Sequence, residues 1–309
     1  MRATRTVQKI LSHYEGENPG VKGKLCSMLM AGKLGGTGKM IILPVDQGFE
    51  HGPARSFAPN PPAYDPHYHY KLAIDAGLNA YAAPLGMLEA GADTFAGQIP
   101  TILKANSANS LIPDAAPKDQ AITASVDDAL RLGCSAIGFT VYPGSSAGLA
   151  MFEEIAEIRR EAAAKGIATV IWSYPRGEAL TKDGETAIDI GAYAAQIAAL
   201  LGAHIIKIKL STNHLELKDA AKVYKSEKIK IKSAADRVAD CMKSAFDGRR
   251  IVVFSGGAKK GESSVFDDAR AIRDGGGNGS IIGRNTFQRP REDAIEMLNQ
   301  LIDIYKGRA

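Results

Sequence analysis

Arg250-Ile-Val-Val-Phe-Ser-Gly-Gly257 and Ser280-Ile-Ile-Gly-Arg-Asn285 decide the fold of this 309-residue chain. Each is a short apolar run rich in β-branched residues that ends in glycine. They are the last two of eight such runs. Reading backwards, the others are Ala203–Leu210, Ile167–Tyr174, Ser135–Tyr142, Pro100–Ala105, Asn79–Leu85 and Met40–Asp46. Helical stretches separate several of them, around residues 68–76, 126–132, 149–165, 186–201 and 290–306. In 149–165, Met151, Ile155, Ile158 and Ala162 follow helical spacing and Gly166 offers a C-cap. Short strands alternating with helices predict parallel pairing through βαβ units. A doubly wound sheet usually carries its glycine fingerprint after the first strand. Here the glycine-rich strand ends come last. The expected fold is therefore α/β, a single (β/α)8 TIM barrel, for which about 250 residues is typical.

The domain expectation follows. Residues 1–39 read as an N-terminal extension packing on the barrel, and 40–309 as the barrel itself. The polar segment 106–120 is irregular, with a short strand possible at 120–124. Hydrophobic residues make up 45% and charged residues 23%, a globular composition with ample core. The net charge of +4 is small and dispersed, which argues against nucleic acid. Lys228, Lys230 and Lys232 read as a solvated face. No apolar run approaches the ~20 residues of a membrane helix, and no signal core opens the chain. Cys26, Cys134 and Cys241 are odd in number and unpaired in pattern, which suggests reduced thiols and a cytoplasmic protein.

A barrel builds its site at the C-terminal ends of its strands. That rule selects Asp46, Lys104, Tyr142, Tyr174, Lys207, Lys209, Ser255 and Arg284. Lys207 and Lys209 are the most informative pair. Strand alternation places Ile205, Lys207 and Lys209 on one face and Ile206 and Ile208 on the other. An amphipathic surface strand would show the same pattern. If both faces are buried, desolvation and the neighbouring cation each favour a neutral amine, which can attack a carbonyl and form a Schiff base.

The two glycine-ended strands suit an anion. Ser255, Gly256, Gly257 and Gly283 would let backbone N–H groups approach a phosphate, and Arg284 would add a charged fork. Two tight turns would look alike. In Trp172-Ser-Tyr-Pro-Arg-Gly177, Trp172 and Tyr174 share a face, so the indole could wall a pocket and the phenol exchange a proton. Arg176 could meet a second anionic group. The alternatives are a core-capping tyrosine and a surface arginine. Asp46 could shuttle a proton or simply pair with Lys209 or Lys104. His67-Tyr68-His69 has a metal-ligand spacing, but it lies in a Pro-rich segment without an HExxH or cysteine partner, so it reads as a solvated loop. No metal and no cofactor are expected.

These residues resemble a known family. Val45-Asp-Gln-Gly-Phe-Glu-His-Gly-Pro53, Thr140-Val-Tyr-Pro-Gly-Ser145, Trp172-Ser-Tyr-Pro-Arg-Gly177, Ile206-Lys-Ile-Lys209, Phe254-Ser-Gly-Gly257 and Gly283-Arg-Asn285 are similar, in order, to the DhnA-type class I fructose-bisphosphate aldolases of archaea and bacteria. The resemblance implies reversible, metal-independent cleavage of fructose 1,6-bisphosphate to dihydroxyacetone phosphate and glyceraldehyde 3-phosphate. It implies Lys207 as the Schiff-base lysine, with Lys209 its electrostatic neighbour. Tyr174 is then the general acid/base and Asp46 the strand-one carboxylate. Ser255, Gly256, Gly257, Gly283 and Arg284 form one phosphate cradle, and His51 and Arg176 face the other phosphate. Sugar bisphosphate and triose phosphates would be the partners, together with further copies of the chain in a homo-oligomer. Two departures stand out. His204 occupies a position where the family often has aspartate. The segment 211–217 leaves the family pattern, placing the family's additional glutamate at Glu216, which reads equally as a solvated side chain. The rivals are another Schiff-base enzyme of this scaffold, such as a transaldolase-like synthase or a phosphorylated-diketone thiolase, and a phosphosugar-binding protein without catalysis.

Overall fold

Eight strands close into one parallel barrel in chain order: β1 (Met40–Pro44), β2 (Ala80–Pro84), β3 (Thr101–Lys104), β4 (Ala136–Val141), β5 (Ala168–Ser173), β6 (Ile205–Lys209), β7 (Ile251–Ser255) and β8 (Gly279–Ile281). The last strand pairs back onto the first, Gly279 against Met40 and Ile281 against Ile42. The structure is a computed structural model and describes residues 2–113, 115–255 and 261–308. Seven of the eight strands fall within the runs expected from the sequence, and β8 begins one residue earlier, at Gly279. Their composition suits burial, because strands apolar on both faces must be covered on both, here by the barrel interior and the surrounding helices.

The two faces build two cores. Met40, Ile42, Ala80, Ala82, Ile102, Ala168, Val170, Ile205 and Val253 point to the barrel axis and form one cluster. Ile41, Leu43, Tyr81, Leu103, Ile137, Phe139, Ile206, Ile208 and Phe254 point outward and pack under the surrounding helices. Each fully buried aliphatic or aromatic side chain contributes roughly 1.5–3 kcal/mol. The helix Gly148–Ala164 illustrates the outer layer: Met151, Ile155 and Ala162 are buried, and Gly166 follows in a left-handed conformation, φ +75°.

Residues 2–39 contain two helices, α1 (Arg5–Ser12) and α2 (Pro19–Met30). Thr4 caps α1 by accepting from the Val7 N–H at 3.3 Å, and Asn18 caps α2 by accepting from the Val21 N–H at 3.0 Å. Val7, Val21, Leu25, Met28 and Leu29 join the axial core and stopper the N-terminal end of the barrel. The Tyr14 hydroxyl donates to the His204 carbonyl at 2.6 Å and accepts from the Ile251 N–H at 3.1 Å, tying this segment to the starts of β6 and β7. The opposite end, where the strands terminate, is left for chemistry.

Two local readings change. Asn106–Ser107 and Ala121–Ile122 pair as a small antiparallel ribbon at the edge of the site. His67 and His69 are not in a solvated loop. Pro66 starts a helix, Pro66–Ala76, and Asp65 caps it by accepting from the His67 N–H at 2.9 Å. His69 is fully buried among Phe57, Tyr68 and Phe287, with Nε2 2.8 Å from the Ala63 carbonyl. Among the described residues, no helix is long and apolar enough to cross a membrane.

Candidate active site

Strand β6 sits between β5 and β7, with Lys207 in register with Trp172 and Lys209 with Ser255. Parallel neighbours on both sides and helices outside remove the surface-strand alternative. Lys207 is 3% exposed and faces the axis above Ile205. Burial pushes its pKa well below the ordinary lysine value, the Asp46 carboxylate opposes that shift, and the Lys209 cation adds to it. Lys209 is brought down to about 8 by burial first and then by the Arg176 guanidinium. The Lys207 ammonium nitrogen donates to the Tyr174 hydroxyl and lies 3.5 Å from the centre of that ring. Burial, reinforced by the Glu50 and Asp46 carboxylates, holds the Tyr174 phenol well above its usual range. The phenol is therefore a proton donor at neutral pH.

The indole of Trp172 reaches across the axis because Gly138 on β4 leaves room for it. A Cβ on Gly138 would stand 2.0 Å from the indole Cζ3. Gly177 has a comparable role in the loop after β5. Its φ is +140°, and a Cβ there would strike the Gly144 backbone at 2.1 Å, so the Tyr174–Gly177 turn lies directly on the Pro143–Gly144 turn.

A five-residue helix, Gln47–His51, follows β1 and Asp46. It brings Glu50 into the cavity beside Asp46, a residue that the sequence reading passed over. Burial and then the Asp46 carboxylate raise the Glu50 carboxyl to about 7. Lys104, 2% exposed at the end of β3, donates to the backbone and side-chain oxygens of Asn106, and burial lowers its pKa. Asn106 in turn donates to the Thr140 carbonyl at 2.8 Å, locking β3 to β4. Tyr142 is held by a 2.8 Å hydrogen bond from Gln120, which immediately precedes the second strand of the small ribbon.

The anion side lies at β7 and β8. Ser255, Gly283 and Arg284 line the same cavity as Lys207, while Gly256 and Gly257 lie outside the described residues. A Cβ on Gly283 would meet the Pro44 carbonyl at 2.7 Å, so the close approach of β8 to β1 demands glycine. His51 is pushed towards its neutral form by burial and then by the Arg284 and Arg55 cations. That field is the one an anionic group would neutralise. Arg176 is 40% exposed on its side chain, 5.4 Å from the centre of the Tyr174 ring and 3.9 Å from Glu185.

The cavity thus gathers Asp46, His51, Trp172, Tyr174, Arg176, Lys207, Lys209, Ser255, Gly283 and Arg284. Gln47, Glu50 and Asn285 also line it and were not anticipated. Glu216 is not among the lining residues. Its carboxylate accepts from the Thr181 N–H at 2.9 Å and the Thr181 hydroxyl at 2.8 Å and lies 3.0 Å from His214 Nε2, fastening one loop to another. His204 is likewise remote, at the foot of β6, 3.1 Å from the Glu17 carboxylate. Among the described residues, no group of three or more His, Cys, Asp or Glu is arranged to hold a metal ion.

The chain resembles known proteins over nearly its whole length. The model of the DeoC/LacD family aldolases matches residues 40–289. The class 1 fructose-bisphosphate aldolase of Thermoproteus tenax is 37% identical over 271 residues, covering 87% of this chain and 90% of that protein. A probable class 1 fructose-bisphosphate aldolase of Chlamydia muridarum is 34% identical, covering 97% of this chain and 88% of its own. Among solved structures, an archaeal fructose-1,6-bisphosphate aldolase whose catalytic lysine is covalently bound to the carbinolamine intermediate superposes with a TM-score of 0.73 at 34% identity, covering 87% and 94% of the two chains. The chain belongs to the DeoC/LacD family of aldolases, among the class I fructose-bisphosphate aldolases of archaea and bacteria.

Proposed function

We propose that this protein is a class I fructose-bisphosphate aldolase in which Lys207 is the Schiff-base residue. A single observation carries this reading: a fully buried lysine, driven towards its neutral form, stands against a phenol at the C-terminal end of β6. The neutral amine adds to C2 of the open-chain ketose. Loss of water gives an iminium. Removal of the C4 hydroxyl proton breaks the C3–C4 bond, releases glyceraldehyde 3-phosphate and leaves its electron pair as an enamine. Tyr174 protonates that enamine at C3, and hydrolysis of the resulting iminium frees dihydroxyacetone phosphate. Asp46 offsets part of the cost of charging Lys207 inside the barrel.

The bisphosphate is favoured over a monophosphate because cations stand on two sides of Lys207. Arg284 with Ser255 and Gly283 serves one phosphate, and Arg176 with His51 serves the other. Lys209 lies between them and meets substrate oxygens. Trp172 packs against the sugar chain.

Residues 1–39 serve as the extension that closes the barrel formed by 40–309. The working protein is a homo-oligomer of the cytoplasm. Exposed Tyr193 and Leu200 on the helix Ile188–Leu200, and three free cysteines, support that reading. Borohydride reduction in the presence of fructose 1,6-bisphosphate, with mass mapping, tests the central assignment. The expected adduct is on Lys207. An adduct confined to Lys209, or none, would overturn it. Adduct formation without cleavage would favour another Schiff-base enzyme of the scaffold.

A further inference from the structure

We propose that Glu50, standing beside Asp46 in the cavity that contains Lys207, is a catalytic proton carrier of the lysine reaction. The inference rests on the aldolase reading and adds to it the group that drives dehydration of the carbinolamine. Three observations lead to it.

The first is placement. The turn after β1 winds into the helix Gln47–His51, and the Glu50 N–H donates to the Asp46 carbonyl at 3.3 Å. The two residues therefore stand one helical turn apart, and both line the cavity that contains Lys207. Glu50 also lines a neighbouring cavity with Ser107, Ile112, Ala116 and Gln120, which offers a path for exchange with solvent.

The second is electrostatic. A carboxyl buried in a poorly solvated space beside a second carboxylate ionises at a cost, so Glu50 retains its proton to higher pH than an exposed glutamate. The charges facing Glu50 are Asp46 and His51 on its own segment, Lys104 from β3, Arg176 after β5 and Lys207 from β6. The cations oppose the shift but do not reverse it, and the carboxyl sits at about 7. A group at that position can donate and accept within one turnover.

The third is the unsuitability of the alternative base. The Tyr174 phenol is held protonated by burial and by these same carboxylates. It can donate to carbon, but it is a poor acceptor for the C4 hydroxyl proton. A carboxylate must take that role.

The proton balance closes on one residue. The Glu50 carboxylic acid gives its proton to the C2 hydroxyl of the carbinolamine. The C2–O bond breaks, water leaves, and the nitrogen lone pair forms the C=N⁺ bond. The Glu50 carboxylate then takes the C4 hydroxyl proton as the C3–C4 bond breaks, which restores the acid for the next turnover.

The test compares wild type, Glu50→Gln and Glu50→Asp in the full-length protein, with melting curves to confirm that all three fold. Glu50→Gln should lose about 10²–10⁴-fold in kcat with KM within a few-fold. The limb of its pH profile near neutrality should vanish. Rapid borohydride trapping with dihydroxyacetone phosphate should show slowed imine formation on Lys207. Glu50→Asp should recover part of the rate and the limb. A variant that keeps kcat within a few-fold, or one that raises KM with the pH profile intact, would overturn the assignment. Failure of the aldolase reading itself is distinguishable, because the wild type would then form no adduct on Lys207.

Discussion

The Lys207 nitrogen lies 3.5 Å from the centre of the Tyr174 ring and donates to its hydroxyl, so amine and phenol share one buried contact. The ring face can attract the charged form of Lys207 while burial repels it, and burial dominates. Tyr174→Phe keeps the ring and removes the proton. It should lower kcat by about 10²–10⁴-fold while leaving Lys207 reducible onto the protein with substrate. Lys207→Met should abolish both turnover and the adduct. Steady-state rates and adduct mapping by mass spectrometry check the pair.

Lys209 tunes its neighbour through charge. Its cation lowers the Lys207 pKa, so Lys209→Met should let that pKa rise. The neutral fraction of Lys207 at a given pH then falls, and the ascending limb of kcat/KM should move to higher pH by roughly one unit or less. Lys209→Arg should hold the limb in place. Because Lys209 itself titrates at about 8, the Lys209→Met and wild-type curves should converge above that pH. An unshifted limb in Lys209→Met would show that the two side chains do not communicate.

Gly138 is the small partner that admits the only tryptophan of the chain into the barrel axis. Gly138→Ala should push the indole towards the substrate and cost about 1–3 kcal/mol of stability by overpacking. Both melting temperature and kcat/KM should fall. Replacing Trp172 with the smaller Phe in the same chain should restore the melting temperature and leave kcat/KM impaired. The double variant separates overpacking from loss of the pocket wall.

The strand ends were legible because period-two apolar runs halt at polar or glycine residues, and a barrel turns such halts into a site. That rule brought Lys207, Lys209, Tyr174 and Asp46 forward together, and the family resemblance is what singled out Lys207 from Lys209. Glu50 was not legible, since Gln47-Gly-Phe-Glu-His51 shows no helical periodicity and reads as loop. Only the turn that follows Asp46 brings the second carboxylate round. Gly138 escaped for another reason. Its significance is a contact with Trp172 on the neighbouring strand, and no spacing along one strand reveals it. His67 was misread because the prolines suggested a loop, whereas Pro66 opens the helix two residues ahead of the expected stretch 68–76. Glu216 resembled a site residue by position, but Thr181 and His214 hold its carboxylate in the loop.

The foot of the barrel should make the protein sensitive to acid. Glu17 lies 3.1 Å from His204 Nε2 and pairs with Arg159, while His204 Nδ1 accepts from the Thr169 N–H at 2.8 Å. That last bond fixes the proton of the neutral ring on Nε2, facing Glu17. Burial lowers the His204 pKa despite the carboxylate, and the hydrogen bond from His204 lowers that of Glu17. Both groups have folded-state values below their unfolded ones. Each therefore contributes stability that is present above its unfolded pKa and lost as pH falls through its folded pKa. His204 is the first to act on cooling the pH below about 6.5, and Glu17 follows below about 4.5. Glu17→Gln should reduce stability at pH 7 by about 1–2 kcal/mol, a figure kept small by the partial access of water to the pair. It should also flatten the part of the acid limb below about pH 4.5 and steepen the part that begins near 6.5, because Glu17 raises the His204 pKa and its loss deepens the depression. Melting curves from pH 4 to 8 check this, and an acid limb of unchanged slope in Glu17→Gln would assign the sensitivity elsewhere.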